Sequence, residues 1–119
     1  MIMNEFFLDK VKYNALPLIK RMLFDIIAFK ANYIFADTVI NIIVKENPNY
    51  KDDPNEKCKI DHFRADRETA FECMYRYERL FESEYGELTD EVKANIKELA
   101  MEYANIPLIK FGWIKEKNA

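Results

Sequence analysis

A chain of 119 residues that is 50% hydrophobic and 33% charged, with a formal net charge of −3, is neither disordered nor fibrous and is long enough to enclose one core. Two glycines and four prolines are too few for the tight turns of an all-β fold, so long helices are expected. The acidic balance argues against a chain held on nucleic acid by its overall field, which needs clustered excess lysine and arginine.

That balance is uneven. Residues 1–60 hold nine basic and eight acidic side chains (+1), and residues 61–119 hold nine basic and thirteen acidic (−4), so a cationic partner is expected to meet the second half. Cys58 and Cys73 are too few for a disulfide framework, and the N-terminal stretch lacks the basic, apolar and small-residue succession of a secretory leader. A reduced, cytoplasmic setting is expected.

In chain order, Asn4 suits the cap of a short helix through Phe6, Phe7, Leu8 and Val11. The Leu16-Pro17 step then makes a break, because the residue before a proline avoids helical dihedrals while proline itself suits a first helical turn. In the next helix Leu18, Ile19, Met22, Leu23, Ile26, Ile27, Phe29, Tyr33 and Ile34 cover a broad apolar face beside a narrow stripe of Arg21, Asp25, Ala28 and Asn32. A helix apolar around most of its girth is expected to be central. Met22 to Val44 is long enough to cross a bilayer, but Asp25, Lys30 and Asp37 are costly at membrane depth, so the segment reads as core and no membrane partner is expected. Lys30 and Asp37 fall nearly on one line of the apolar face, and burying both is expensive unless they pair. A break before Asp37 is therefore expected, with Asp37 and Thr38 capping a third helix through Val39, Ile40, Ile42, Ile43 and Val44.

Residues 46–60, beginning ENPNYKDDPNEKCK, mix prolines, asparagines and alternating charges and read as an exposed loop. Asp61 then caps the longest helix, which runs to about Tyr85 and stops at Gly86. Phe63, Ala70, Met74, Tyr77 and Phe81, continued by Leu88, recur three and four apart along its inner side. The other side carries Arg64, Glu68, Glu72, Arg76, Arg79 and Glu82, with Arg64/Glu68 and Glu72/Arg76 as opposite charges one turn apart. Thr89, Asp90 and Glu91 open a further helix with acids at its positive end, and Val92, Ile96, Leu99 and Tyr103 form its apolar line. Pro107 is expected to interrupt it, Leu108 to Ile114 to dock with Phe111 and Trp113, and residues 115–119 to fray. Residues 13–20 (YNALPLIK) and 103–110 (YANIPLIK) look alike; one match is no repeat architecture and reads as two helix breaks. The expected fold is an all-α, compact single-domain bundle of four to five helices over residues 1–119.

His62 is the one histidine, and Cys58, Asp66 and Cys73 would share its side of a continuous helix. No C-x-x-C or H-E-x-x-H spacing accompanies them, and no metal ligand is assigned. A small helical bundle with one histidine resembles phosphotransfer domains, in which an exposed histidine takes a phosphoryl group. The local sequence DHFRAD lacks the lysine and glycine that follow such a histidine, and His62 is expected in a first turn rather than mid-helix. Glu68, Glu72, Glu82 and Glu84 read as a solvated face, with no Glu-x-x-His pair for a di-iron site. Ser83 has no nucleophile elbow, and Gly86 and Gly112 cannot form a phosphate loop. Arg64, Arg67, Arg76 and Arg79 with Tyr75 and Tyr77 could offer a nucleic-acid platform, but the interleaved glutamates cancel their field.

Nine phenylalanines, seven tyrosines and one tryptophan are many for one core, and Tyr75 projects among Glu68, Glu72, Arg79 and Glu82. The expected function is non-enzymatic: a regulator, inhibitor or immunity-type module that occludes a basic protein surface through Tyr75, Glu72, Arg76, Arg79 and Glu82, with no catalytic residue, cofactor or metal. Two alternatives are a phosphotransfer protein or enzyme using His62, and a homo-oligomeric or nucleic-acid-associated subunit built on the faces of residues 63–81 and 92–103. Abundant Ile, Lys and Asn fit an A/T-rich genome and, by association, a phage or mobile element.

Overall fold

The computed structural model describes residues 10–116, with side chains from Tyr13 onward. The helix expected from Asn4 falls largely outside the described residues, as does the tail beyond Glu116. Four α-helices are present among the described residues: α1 (Lys10–Ala15), α2 (Leu18–Glu46), α3 (Pro54–Tyr85) and α4 (Asp90–Lys110), with a 3-10 turn at Tyr50–Asp52 and no strand. The expected all-α bundle is therefore the observed architecture. Pro17 separates α1 from α2 with φ −56° and an extended ψ of 149°, while the Leu16 amide donates to the Tyr13 carbonyl (3.1 Å).

α2 runs unbroken for 29 residues, so the break expected before Asp37 does not occur. The reason is tertiary: Asp37 accepts a 2.7 Å hydrogen bond from Arg67 Nη1 at the rim of α3, and both side chains keep about a third of their surface in water (39% and 32%). Lys30 is half-buried. Neither Lys30 nor Asp37 is fully buried, so at these two positions the helix escapes the desolvation cost that argued for stopping it. By length and composition α2 could cross a membrane. In this fold α3 and α4 both pack along it.

The stretch expected as an exposed loop over 46–60 is mostly structured. Tyr50 is buried in the 3-10 turn, and α3 begins at Pro54, capped by Asp53 rather than Asp61. Asp53 accepts from the amides of Asn55 (3.0 Å) and Glu56 (3.4 Å), and Pro54, lacking an N–H, sits where a helix has no partner for one. Ile60, 0% exposed, supplies the energetic reason for the two extra turns by entering the core.

α3 stops at Gly86, whose φ of 94° and ψ of 176° suit glycine alone, and Thr89 Oγ1 caps α4 through the Val92 amide (3.2 Å). Pro107 does not interrupt α4. It lies inside the last turn, its carbonyl accepting from the Phe111 amide (2.9 Å), while Leu108 is buried and its carbonyl accepts from Trp113 (2.8 Å). A proline inside a helix costs roughly 3 kcal/mol, which burial of Leu108 with Tyr103 and Ala104 offsets.

The core has two parts along α2. Met22, Ile26, Ile27 and Ala31 meet Phe81 and Leu88 and, from α4, Ile96, Ala100 and Tyr103; Val39 and Ile43 meet Tyr50, Ile60 and Leu108, with Phe63, Trp113 and Ile114 packed around them. The three-four faces of α3 and α4 thus turn into this chain's own core.

Candidate protein-binding surface

At 100° per residue along α3, Phe71, Tyr75, Glu78, Glu82 and Tyr85 form one stripe beside the core-facing line. Its three aromatic residues remain about half in water: Phe71 50%, Tyr75 52% and Tyr85 43% exposed. Each is held by a neighbour. Phe71 meets the ring of Tyr33 on α2 with centroids 6.0 Å apart, and Tyr85 meets Phe81 at 5.2 Å. Arg79 Nη1 donates to the Tyr75 hydroxyl (3.0 Å), and its guanidinium lies 5.6 Å from that ring's centroid. Rings fixed in this way lose little conformational entropy when a partner covers them.

The charged residues around the stripe are not paired as their spacing implies. Arg64 donates to the Tyr50 hydroxyl (3.2 Å), Arg67 to Asp37, and Arg79 to Tyr75, and neither Arg64/Glu68 nor Glu72/Arg76 is among the ion pairs of the described residues. Glu68, Glu72, Glu82 and Glu84 stand exposed without an ion pair among the described residues. Three of the four α3 arginines beyond its second turn are thereby drawn to this chain's own groups, leaving carboxylates outward.

Of the residues singled out from sequence, Tyr75, Glu72, Arg76, Arg79 and Glu82 all lie on the exposed side of α3. Phe71 and Tyr85 were missed, although they sit four residues before and ten after Tyr75 on the same projected stripe. Tyr77 packs edge-on against Phe29 of α2 at 5.1 Å, as its place on the inner line implies, and so offers no stacking platform.

Cys58 lies on α3 rather than in a loop, and His62 falls in its third turn rather than its first. Cys58, His62, Asp66 and Cys73 do share a flank of the continuous helix. Only His62 and Asp66 meet there, Nε2 to Oδ2 at 3.4 Å with both side chains more than half exposed, and no group of three His, Cys, Asp or Glu residues converges among the described residues. No known protein family matches the chain, and no curated protein or solved structure is significantly similar to it.

Proposed function

We propose that this chain is a non-enzymatic module that binds another protein stoichiometrically and occludes a basic surface on it, as a regulator, inhibitor or immunity-type protein. The observation that carries this reading is the α3 stripe, where three half-exposed aromatic rings are held by their own neighbours and flanked by unpaired glutamates. Anchored aromatics are the side chains that dominate binding energy in alanine scans, while rim carboxylates steer a cationic partner and raise the on-rate. Cys58 and Cys73 are both free thiols on α3, which suits a reducing, cytoplasmic setting. The composition fits a phage or mobile-element source.

Tagged chain in a lysate of the source cells, followed by mass spectrometry, identifies the partner, and titration of the purified pair tests the surface. Phe71→Ala with Tyr75→Ala should weaken binding at least about tenfold, since each anchor contributes roughly 1–2 kcal/mol, with the helical signal unchanged. Glu72→Lys with Glu82→Lys should slow association at low salt. His62→Ala should bind as the parent does. Equal affinity of the aromatic double variant would remove this surface, and loss of function in His62→Ala would favour chemistry at the histidine.

A further inference from the structure

Away from the α3 stripe, α2 and α4 enclose a cleft of about 570 Å³. Phe29, Asn32 and Phe35 of α2 face Tyr103 and Pro107 of α4, with Phe111 just past the end of that helix. A smaller hollow of about 360 Å³ shares Phe29, Asn32 and Phe35 and reaches α3 at Asp66 and Thr69. The larger space is in the range that takes a drug-sized molecule, and its lining has the usual pattern of aromatic walls with few polar groups.

One end is charged. Asp25 lines the cleft, and its Oδ1 accepts a 2.6 Å hydrogen bond from the Tyr13 hydroxyl; no other described residue donates to this carboxylate. Arg21, one turn earlier on α2, has a buried Nε with no hydrogen-bond acceptor. Burial holds Asp25 above the ordinary carboxylate value, partly countered by the Tyr13 hydrogen bond and the charge of Arg21. The carboxylate is thus poorly solvated and keeps one oxygen for an incoming donor.

We infer that this cleft binds a small aromatic amine, its ring among Phe29, Phe35 and Phe111 and its protonated nitrogen on the free oxygen of Asp25. The cation returns to the carboxylate the interaction that burial took from it, and aromatic faces attract the same charge. Asn32, an exposed residue of the lining, offers an amide for a second polar contact. Arg21 offsets part of the Asp25 charge at long range, so recognition rests on the short contact. An anionic analogue of the same shape meets a carboxylate at the polar end and is rejected.

The test is titration of the isotope-labelled full chain with tryptamine, followed by amide chemical shifts, with 3-methylindole and indole-3-acetate as neutral and anionic counterparts. Tryptamine should give saturable shifts confined to residues 25–35 and 103–111 and bind at least about tenfold more tightly than either counterpart. Asp25→Asn should remove that preference, and Ala28→Trp, which fills the cleft from a half-exposed position, should abolish the shifts; either variant suffices if the other does not fold. The inference is overturned if no saturable shift appears, if the anion binds equally well, or if Asp25→Asn binds tryptamine unchanged. Shifts at these residues that depend on the chain's own concentration would assign the cleft to a second copy and overturn it as well.

Discussion

Replacing Ile60 by alanine should lower the unfolding free energy by about 3 kcal/mol, although the sequence around it, NEKCKIDH, has the composition of a solvated loop. Ile60 is 0% exposed among Val39, Ile43, Tyr50 and Leu108. Removing three buried carbons costs about 2.4 kcal/mol at roughly 0.8 kcal/mol each. Incomplete collapse of the cavity adds about 1 kcal/mol, and the better helix propensity of alanine returns about 0.4 kcal/mol. With an unfolding entropy of roughly 2.1 cal/mol/K per residue, the melting temperature should fall by about 12 °C. Urea denaturation followed by far-ultraviolet circular dichroism measures the change. Cys58→Ala, two residues earlier and exposed, is the control and should stay within about 0.5 kcal/mol. If Ile60→Ala costs less than about 1 kcal/mol, the first two turns of α3 do not rest on the core, and the argument for an early start of that helix fails.

Three further outcomes follow from local geometry. Gly86→Ala should destabilise by about 1–3 kcal/mol, because φ 94° with ψ 176° is a conformation nearly confined to glycine. An added Cβ would touch nothing within 4 Å, so the loss is conformational, and an unchanged calorimetric melting temperature would contradict this backbone. Tyr13 is pushed up to about 12, first by burial and then by the hydrogen bond and charge of Asp25, so its phenol form is favoured in the folded chain. Its contribution is full below pH 10 and lost as pH rises towards about 12, and Tyr13→Phe should remove that alkaline component from urea midpoints. Asp25, also raised chiefly by burial, contributes at low pH and loses that contribution as pH rises through its folded value. Asp25→Asn should therefore be the more stable protein at neutral pH, and a less stable one would mean that the carboxylate is better solvated than its surroundings imply.

The exposed stripe of α3 was partly legible. Tyr75, Glu72, Arg76, Arg79 and Glu82 could be placed on one side of a helix because solvent exposure along a helix follows from projection alone. Phe71 and Tyr85 were equally accessible to projection. The three-four rhythm gave no sign of them, since it seeks aromatics that point inward. That the arginines would be drawn to Tyr50 and Asp37 was not legible, because those partners come from the preceding turn and from α2. The amine cleft had no sequence signature at all. Its lining comes from α2 and from the end of α4, about seventy residues later in the chain.

Local chemistry alone determined where chain ends of helices must fall when glycine or a capping side chain decides: Pro17, Gly86 and Thr89 all act where they were expected. Even the Asp53-Pro54 start of α3 carried its own signal, a capping carboxylate before a proline, which the charged run after it obscured. Long-range contacts decided the rest. Asp37 stays within α2 because Arg67 reaches it from thirty residues away. The clearest case is the shared tetrapeptide Pro-Leu-Ile-Lys. At 17–20 it opens a helix with Leu18 55% exposed, and at 107–110 it closes one with Leu108 1% exposed. Proline permits a helix start wherever it stands, but continuing a helix through it requires buried neighbours to offset the lost hydrogen bond, and those neighbours exist only once α2, α3 and α4 have come together.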